Sequence, residues 1–446
     1  MMRYESYKET EILSLDVCPS HWFVNRVKSM GVIRYGLGQP PHELENGLPI
    51  IRATNIFSGR ISSENLILVD PDDLPYERKP ILKEGEIIVV RSGAYTGDSA
   101  MIPKEFEGAV SGYDMVFTPD KNKIYPKFLS YCLLSQYVFK DQLVLTSLRA
   151  AQPHLNKEEL GSTLITYPSS IVEQTVIAEY LDTKTQAIDK KVSLLEKKIG
   201  YYQELRKSLI NETVTKGLDK NTELKNNELG FTTPKSWLRY RLKDLGALYS
   251  GLSGKGGDDF NQDDNPDNKG FIPFTNIANN TYLKRDHLGT VVVYEGEKQN
   301  RVRKGDIFFL MSSEGYEDIG KSAALAEDIE ETYLNSFCKG YRVNPRKTNP
   351  YFLNYLMLSD YYRQLLIVEG KGFTRINLKM EKVNDFLVYI PDTLSAQDEI
   401  VKFLDAKLDT IAKIITNIQT QITTLRELRK TLINDVVTGK IKVSHE

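Results

Sequence analysis

The sequence predicts an α+β chain in which two mixed α/β domains are separated by two long helices pairing as an antiparallel coiled coil, the whole an internal repeat with pseudo-two-fold symmetry. Three observations predict it. The second half restates the first at a shift of about 220 residues. Two long segments carry apolar residues every seven positions, the pattern of a coiled coil. Ahead of each segment lie short β-type runs separated by Gly- and Asn-rich turns.

The repeat is read in order along the chain. Pro19-Ser-His-Trp22, Arg26-Val-Lys28 and Gly31 return as Pro234-Lys-Ser-Trp237, Arg241-Leu-Lys243 and Gly246. Ile50-Ile-Arg-Ala-Thr-Asn-Ile56 answers to Ile272-Pro-Phe-Thr-Asn-Ile277, and Leu82-Lys-Glu-Gly-Glu-Ile-Ile88 to Val302-Arg-Lys-Gly-Asp-Ile-Phe308. The shift drifts between blocks, so the intervening loops differ in length. Gln174 to Thr215 aligns without a gap onto Gln397 to Thr438, with 17 of 42 positions identical. The boundaries that follow are an N-terminal segment 1–19, a domain 20–172, a helix 173–215, a linker 216–236, a second domain 237–392, a second helix 393–440 and a tail 441–446.

Neither repeated segment contains Pro, and Gly200 is their only glycine. In the second copy Leu404, Ile411, Ile418, Leu425 and Leu432 fall every seven residues, with Val401, Leu408, Ile415 and Ile422 at the companion position. The first copy keeps the frame with Leu181, Ile188, Leu195, Tyr202 and Leu209, against Ala178, Thr185, Val192 and Ile199. At 1.5 Å per residue each helix is roughly 60 Å long, which overreaches a domain of its own size. An amphipathic helix lying on one domain is therefore a poorer explanation than two helices pairing along this seam.

Within the domains, Glu86-Ile-Ile-Val-Val90 and Thr290-Val-Val-Val-Tyr294 read as strands, and Phe128–Leu134 with its echo Phe352–Leu358 as helices. Their topology does not follow from the pattern. The loops hold polar groups suited to base edges: Arg52, Thr54 and Asn55; Arg91, Ser92, Tyr95 and Thr96; Arg149, Gln152 and His154. The second copy offers Thr275 and Asn276; Ser312, Ser313 and Tyr316; Lys371, Thr374 and Arg375. Arg contacts guanine bidentately and Asn or Gln contacts adenine, so the repertoire suits direct readout in a major groove. Each of these residues alone reads more readily as a turn or surface residue. The signal is that counterpart loops differ while the scaffold blocks match.

Composition sets limits on these readings. The formal net charge is −2, and Lys/Arg stand at 16 against 17 Asp/Glu over 20–172 and at 21 against 22 over 238–392. DNA binding then requires the positive charge to be gathered on one face, or shared with a partner. Cys18, Cys132 and Cys338 make no CxxC pair, which argues against a disulfide framework or a structural zinc and fits a reducing cytoplasm. The N-terminus has no apolar run of the signal-peptide kind, and no eighteen apolar residues occur in succession.

Catalytic motifs are absent. Asn349-Pro-Tyr-Phe352 lacks the second Pro of an amino-methyltransferase motif, and a turn explains it. Gly251-Leu-Ser-Gly-Lys-Gly-Gly257 misses the spacing of a phosphate loop and reads as a flexible loop. Pro71-Asp72 with Glu77-Arg-Lys79 is too compact for a nuclease pattern spanning two strands. His21, His42, His154, His287 and His445 show no metal-ligand spacing. Neither a catalytic residue nor a metal site is expected.

Taken together, the Trp22 and Trp237 openings, the Gln152-Pro-His-Leu-Asn156 segment, the Ile-Ala-Glu-Tyr-Leu-Asp182 helix start and the Glu204-Leu-Arg-Lys207 to Thr215 helix end resemble the specificity subunit of type I restriction–modification enzymes over essentially the whole chain. The one local departure is that Gln152-Pro-His-Leu-Asn156 becomes Phe373-Thr-Arg-Ile-Asn377 in the second copy, where a reading loop is expected to vary. The resemblance implies a non-catalytic subunit with two target-recognition domains, each binding half of a split asymmetric site in double-stranded DNA. It implies that the conserved helices dock methyltransferase subunits, two of them, and admits restriction subunits. S-adenosylmethionine, ATP and Mg are then expected on those partners and no cofactor on this chain, which works in the cytoplasm away from any membrane. A nuclease or methylase active by itself, and a coiled-coil scaffold that never touches DNA, are the alternatives.

Overall fold

The computed structural model describes residues 2–148, 152–262, 264–372 and 374–443. The chain forms two compact units, Met1–Glu196 with Gln419–Glu446, and Lys197–Ile418.

In the first unit four antiparallel strands lie in the order Ser99–Met101, Ile87–Val89, Met115–Pro119 and Gly31–Tyr35. The apolar run around Ile87–Val89 is buried on both faces. Ile87 and Val89 face one core with Phe117 and Phe128, while Ile88 and Val90 face a smaller one with Val116 and Ile102. That is the period-2 alternation of a strand covered on both sides. A second sheet, Val110–Ser111, Glu43–Ile51 and Ile67–Val69, contains a parallel pair, Val110 with Ile50. Trp22–Arg26 pairs with Leu164–Pro168, and helix Pro126–Leu134 covers the larger core.

The second unit repeats this plan. Its sheet runs Gly246–Ser250, Cys338–Val343, Ile307–Leu310, Ser322–Leu325 and Tyr282–Leu283. Ile307 and Phe309 face one core, Phe308 and Leu310 the other. Asn268–Ile272 pairs in parallel with Thr332–Leu334, and Leu238–Arg241 pairs with Leu387–Ile390. The two tryptophans are held alike. Trp22 meets Phe128 edge-on at 6.3 Å, and Trp237 meets Phe352 edge-on at 6.2 Å.

The repeated segments are continuous helices, Ile171–Lys216 and Leu394–Val437. Within the first unit their paired stretches run antiparallel: Asp189 lies 3.0 Å from Arg429 and Glu196 lies 2.8 Å from Arg426, so one number rises as the other falls. Leu181 shares that unit's core with Ile433, Val436 and Val437. In the second unit Ile210 and Val214 share a core with Leu404, Leu408 and Ile411. Each domain thus takes in the start of its own helix and the end of the other copy's helix.

The ends of the helices extend the correspondence. Gly439, at φ 72°, sits beside Trp22, where a Cβ would lie 3.5 Å from the indole and 2.3 Å from Pro19. Gly217, at φ 79°, sits beside Trp237. Left-handed backbone tolerates glycine at this stop signal, and in the first unit no side chain would fit. The N-terminal segment and the segment expected to be a linker each carry a hairpin: Tyr7–Ile12 with Leu15–Pro19, and Leu224–Asn226 with Thr232–Pro234. Past the second helix, the Lys442 N–H donates to the Met2 carbonyl at 2.9 Å and the Tyr7 hydroxyl to the Gly439 carbonyl at 3.0 Å.

Candidate DNA interface

In the first unit three loops distant in sequence meet beyond the edge of the main sheet. Strand Ile87–Val89 delivers Arg91, whose carbonyl accepts the Leu155 N–H at 2.7 Å; Gly93 N–H donates to the Pro153 carbonyl at 3.2 Å. Ser92 and His154 form an antiparallel bridge. The Arg91–Gly97 loop and the Gln152–His154 segment, named from sequence as separate candidates, are therefore one structure. The Arg91 guanidinium carbon lies 4.5 Å from the ring centroids of both Tyr35 and Tyr113, and its Nη2 is 3.2 Å from His154 Nε2. Beneath it Asp114 accepts the Arg91 backbone N–H at 3.2 Å; burial pushes this carboxyl up to about 6, opposed by that bond and the Arg91 charge.

The other candidates divide by burial. Arg52 runs beside Gly112, and its Nη2 donates to the Asn65 carbonyl at 3.1 Å. Thr54, Tyr95 and Gln152 are exposed. Asn55 is buried: its amide donates to the Ser62 and Glu64 carbonyls and its oxygen accepts the Arg52 N–H, so it shapes the loop rather than facing a ligand. Thr96 is buried too, its hydroxyl donating to the Gly93 carbonyl at 2.7 Å. Arg149 lies outside the described residues.

The second unit gathers the corresponding loops with different contents. Ser312–Ser313 pairs with Ile376–Asn377, while Lys371 and Asn377 exchange backbone hydrogen bonds of 3.1 and 2.9 Å. Arg375 stacks over Phe337 at 5.0 Å, with Glu314 3.6 Å from its guanidinium. Tyr316, Lys371, Thr374 and Thr275 are exposed. Ser313 is buried, and Asn276 turns inward to donate to the His287 carbonyl. The loop Gly251–Gly257, expected to be flexible, is pinned: Lys255, nearly enclosed, pairs with Glu297 at 2.7 Å.

Sequence reasoning missed Tyr35, Tyr113 and Phe337, because an aromatic residue at a strand end carries no signal until its neighbours are known. It also missed what Gln174 and Gln397 do. Gln174 accepts the Tyr125 N–H at 2.7 Å and donates to the Pro168 carbonyl; Gln397 accepts the Asn349 N–H at 2.8 Å and donates to the Pro391 carbonyl. Each glutamine seats a long helix on its own domain, and its recurrence in the repeat was the available clue. Asn349-Pro-Tyr-Phe352 is a helix start, with Asn349 accepting the Tyr351 and Phe352 N–H groups. Among the described residues no group of His, Cys, Asp and Glu can hold a metal ion.

The family description "Type I restriction modification DNA specificity domain" matches residues 30–197 and again 234–424. The specificity subunit of the type I restriction enzyme MjaVIII of Methanocaldococcus jannaschii is 23% identical over 462 residues, covering 99% of this chain and 97% of that protein. The StySPI specificity subunit of Salmonella potsdam is 25% identical, covering 85% of this chain and 80% of its own. Among solved structures, a chain from work on complex assembly and conformational transition of the type I R-M system superposes with a TM-score of 0.72 at 16% identity, covering 95% of this chain and 99% of that one. The HsdS subunit of Thermoanaerobacter tengcongensis follows at 0.53 and 15%, covering 95% and 98%. At those identities the superpositions speak to the fold.

Proposed function

Because this chain belongs to the type I restriction–modification DNA specificity family, whose members recognise a DNA sequence and leave the chemistry to other subunits, we propose that each of its two domains reads one half of a split, asymmetric site in double-stranded DNA. One observation carries the reading: the two units share sheets, tryptophan seat and helix docking, yet present different groups at the corresponding loops. Arg91 between two tyrosines faces the first, Arg375 on Phe337 beside Glu314 the second. A common scaffold with divergent tips suits two readers of two sequences.

The candidates that remain presented are Arg52, Thr54, Arg91, Ser92, Tyr95, Gln152 and His154 in one reader, and Thr275, Ser312, Tyr316, Lys371, Thr374 and Arg375 in the other. The helices, kept alike in both copies, dock two methyltransferase subunits, one for each copy. Restriction subunits join through the same assembly. S-adenosylmethionine, ATP and Mg act on those partners, and this chain binds none of them. The assembly works in the cytoplasm, a location supported by three buried free thiols, Cys18, Cys132 and Cys338. No helix among the described residues is long and apolar enough to cross a membrane.

The test is to sequence methylated bases in cells carrying the cognate methyltransferase gene, with and without this gene. The reading expects a new methylated motif of two short sequences separated by unspecified bases, present only with this chain. No new motif, or a continuous one, contradicts it.

A further inference from the structure

Strand register puts Tyr113 and Phe337 at the same place in the two units. Met115 lies opposite Val89 in the first sheet and Lys339 opposite Phe309 in the second, and each aromatic residue stands two positions earlier. Both are large aromatic side chains left about half exposed, at 49% and 50%. Both carry an arginine, and the arginines come from different loops. Arg91 follows the central strand and reaches Tyr113 at 4.5 Å; Arg375, from the loop just ahead of strand Ile376–Asn377, reaches Phe337 at 5.0 Å. An aromatic face with an arginine on it therefore recurs although neither the arginine's position nor its loop does.

The chemistry of the stack bears on what it presents. A guanidinium attracted to a ring through its π face keeps N–H donors that can still hydrogen-bond a second partner. Arg91 has its guanidinium carbon 4.5 Å from the rings of both Tyr35 and Tyr113, with His154 Nε2 3.2 Å from its Nη2 and the buried Asp114 carboxyl near enough to feel its charge. Much of the rotamer entropy that an arginine loses on binding is thus already lost in the free protein. Arg375 is gripped on one face, with Glu314 3.6 Å from its charge.

Resting on the two-reader function proposed above, we infer that Tyr113 and Phe337 are platforms for the specificity-determining arginines, and that Arg91 and Arg375 each fork onto a guanine, one in each half-site. The O6 and N7 acceptors of guanine match an arginine's paired donors in the major groove, and such a contact, unlike one to phosphate, carries sequence information. The first half-site is the more sharply read at its guanine, because Arg91 is held by two rings, whereas Arg375 is held by one and is ion-paired with Glu314.

The experiment is methylated-base sequencing with the complete chain and its methyltransferase subunit, for the wild type, Arg91→Ala, Arg91→Lys and Arg375→Ala. The wild-type motif is expected to hold a G·C pair in each half. Arg91→Ala relaxes that one pair in the first half by roughly 5- to 100-fold and leaves the second half and the spacer unchanged. Arg91→Lys, which keeps the charge without the fork, relaxes the same pair. Arg375→Ala relaxes one pair in the second half. A wild-type half-site without G·C overturns the inference. So does a variant that lowers methylation evenly at all sites with a shallower salt dependence, the mark of a phosphate contact, and so does loss of all methylation in both Arg91 variants. In those cases a wild-type motif that is still bipartite leaves the two-reader function standing, whereas a wild type with no bipartite motif removes both.

Discussion

Arg34 spans the Glu86 carboxylate with both ends of its guanidinium, Nη1 to Oε1 at 2.6 Å and Nη2 to Oε2 at 2.8 Å. Thr118 adds a hydroxyl to Oε1 at 2.6 Å. The second unit solves the same problem with the parts exchanged. Arg342, at the strand position of Thr118, forks onto Asp306 at 3.0 and 2.7 Å, and Tyr249, at the position of Arg34, donates its hydroxyl at 2.6 Å. A buried carboxylate opens the central strand of each sheet, and the partners have changed places.

Arg34→Ala leaves that carboxylate buried and unpaired, at a cost of about 3–5 kcal/mol. Urea unfolding of the intact chain followed by a probe in the first unit measures it. The double variant Arg34→Tyr with Thr118→Arg copies the second unit and is expected to recover more than half of the loss. Double-variant stability no better than Arg34→Ala contradicts the exchange.

Two carboxyls in the first unit respond oppositely to pH. Burial pushes Glu86 up, but hydrogen bonds from Arg34, Thr118 and the Lys83 N–H outweigh it, leaving the group below its usual 4.5. Its stabilising contribution is present above that value and is lost as the pH falls through the folded-state value. Asp114, raised by burial from 3.8 to about 6, holds its proton more tightly in the native state. Its contribution is present at low pH and is lost as the pH rises from about 4 to 6. Thermal midpoints are expected to show Asp114→Asn removing a stability gain between pH 6 and 4, and Glu86→Gln removing an acid loss below pH 4.5. Identical pH profiles for the wild type and Asp114→Asn contradict the assignment.

The helix pair rests on apolar burial more than on its ion pairs. Ile433→Ala, in the core of the first unit, is expected to cost about 2–5 kcal/mol, whereas Arg426→Ala, which breaks a half-exposed pair with Glu196, costs at most about 1 kcal/mol. Ile418→Lys places a charge at a buried seam position, costs several kcal/mol and abolishes methylation of the whole site. Wild-type methylation by that variant contradicts the seam.

The period-7 seam was legible because a coiled coil repeats one demand at fixed spacing, and Leu181, Leu404, Leu408, Ile411, Ile418 and Ile422 are buried, with Ile188, Leu195, Ile199, Leu209, Ile415, Leu425 and Leu432 partly so and Val192 at the border. The helix ends were not. Ile210, Val214, Ile433 and Val437 leave the heptad because there each helix turns from its partner to a domain core. In the loops, polar residue type pointed to candidates but not to orientation: Arg91 is held at the surface by rings, while Asn55 and Thr96 spend their polar groups on the backbone that forms the loop. Whether a polar group faces out depends on which carbonyls come near it, and those arrive from distant strands.

The most direct measurement exchanges residues 20–172 for the corresponding domain of a relative and sequences the methylated bases. Each unit has its own tryptophan seat, sheets and reading loops. The account predicts a motif in which one half changes to the donor's sequence while the other half and the spacer stay as they were. A motif altered in both halves together would mean that the domains read DNA jointly, and would contradict it.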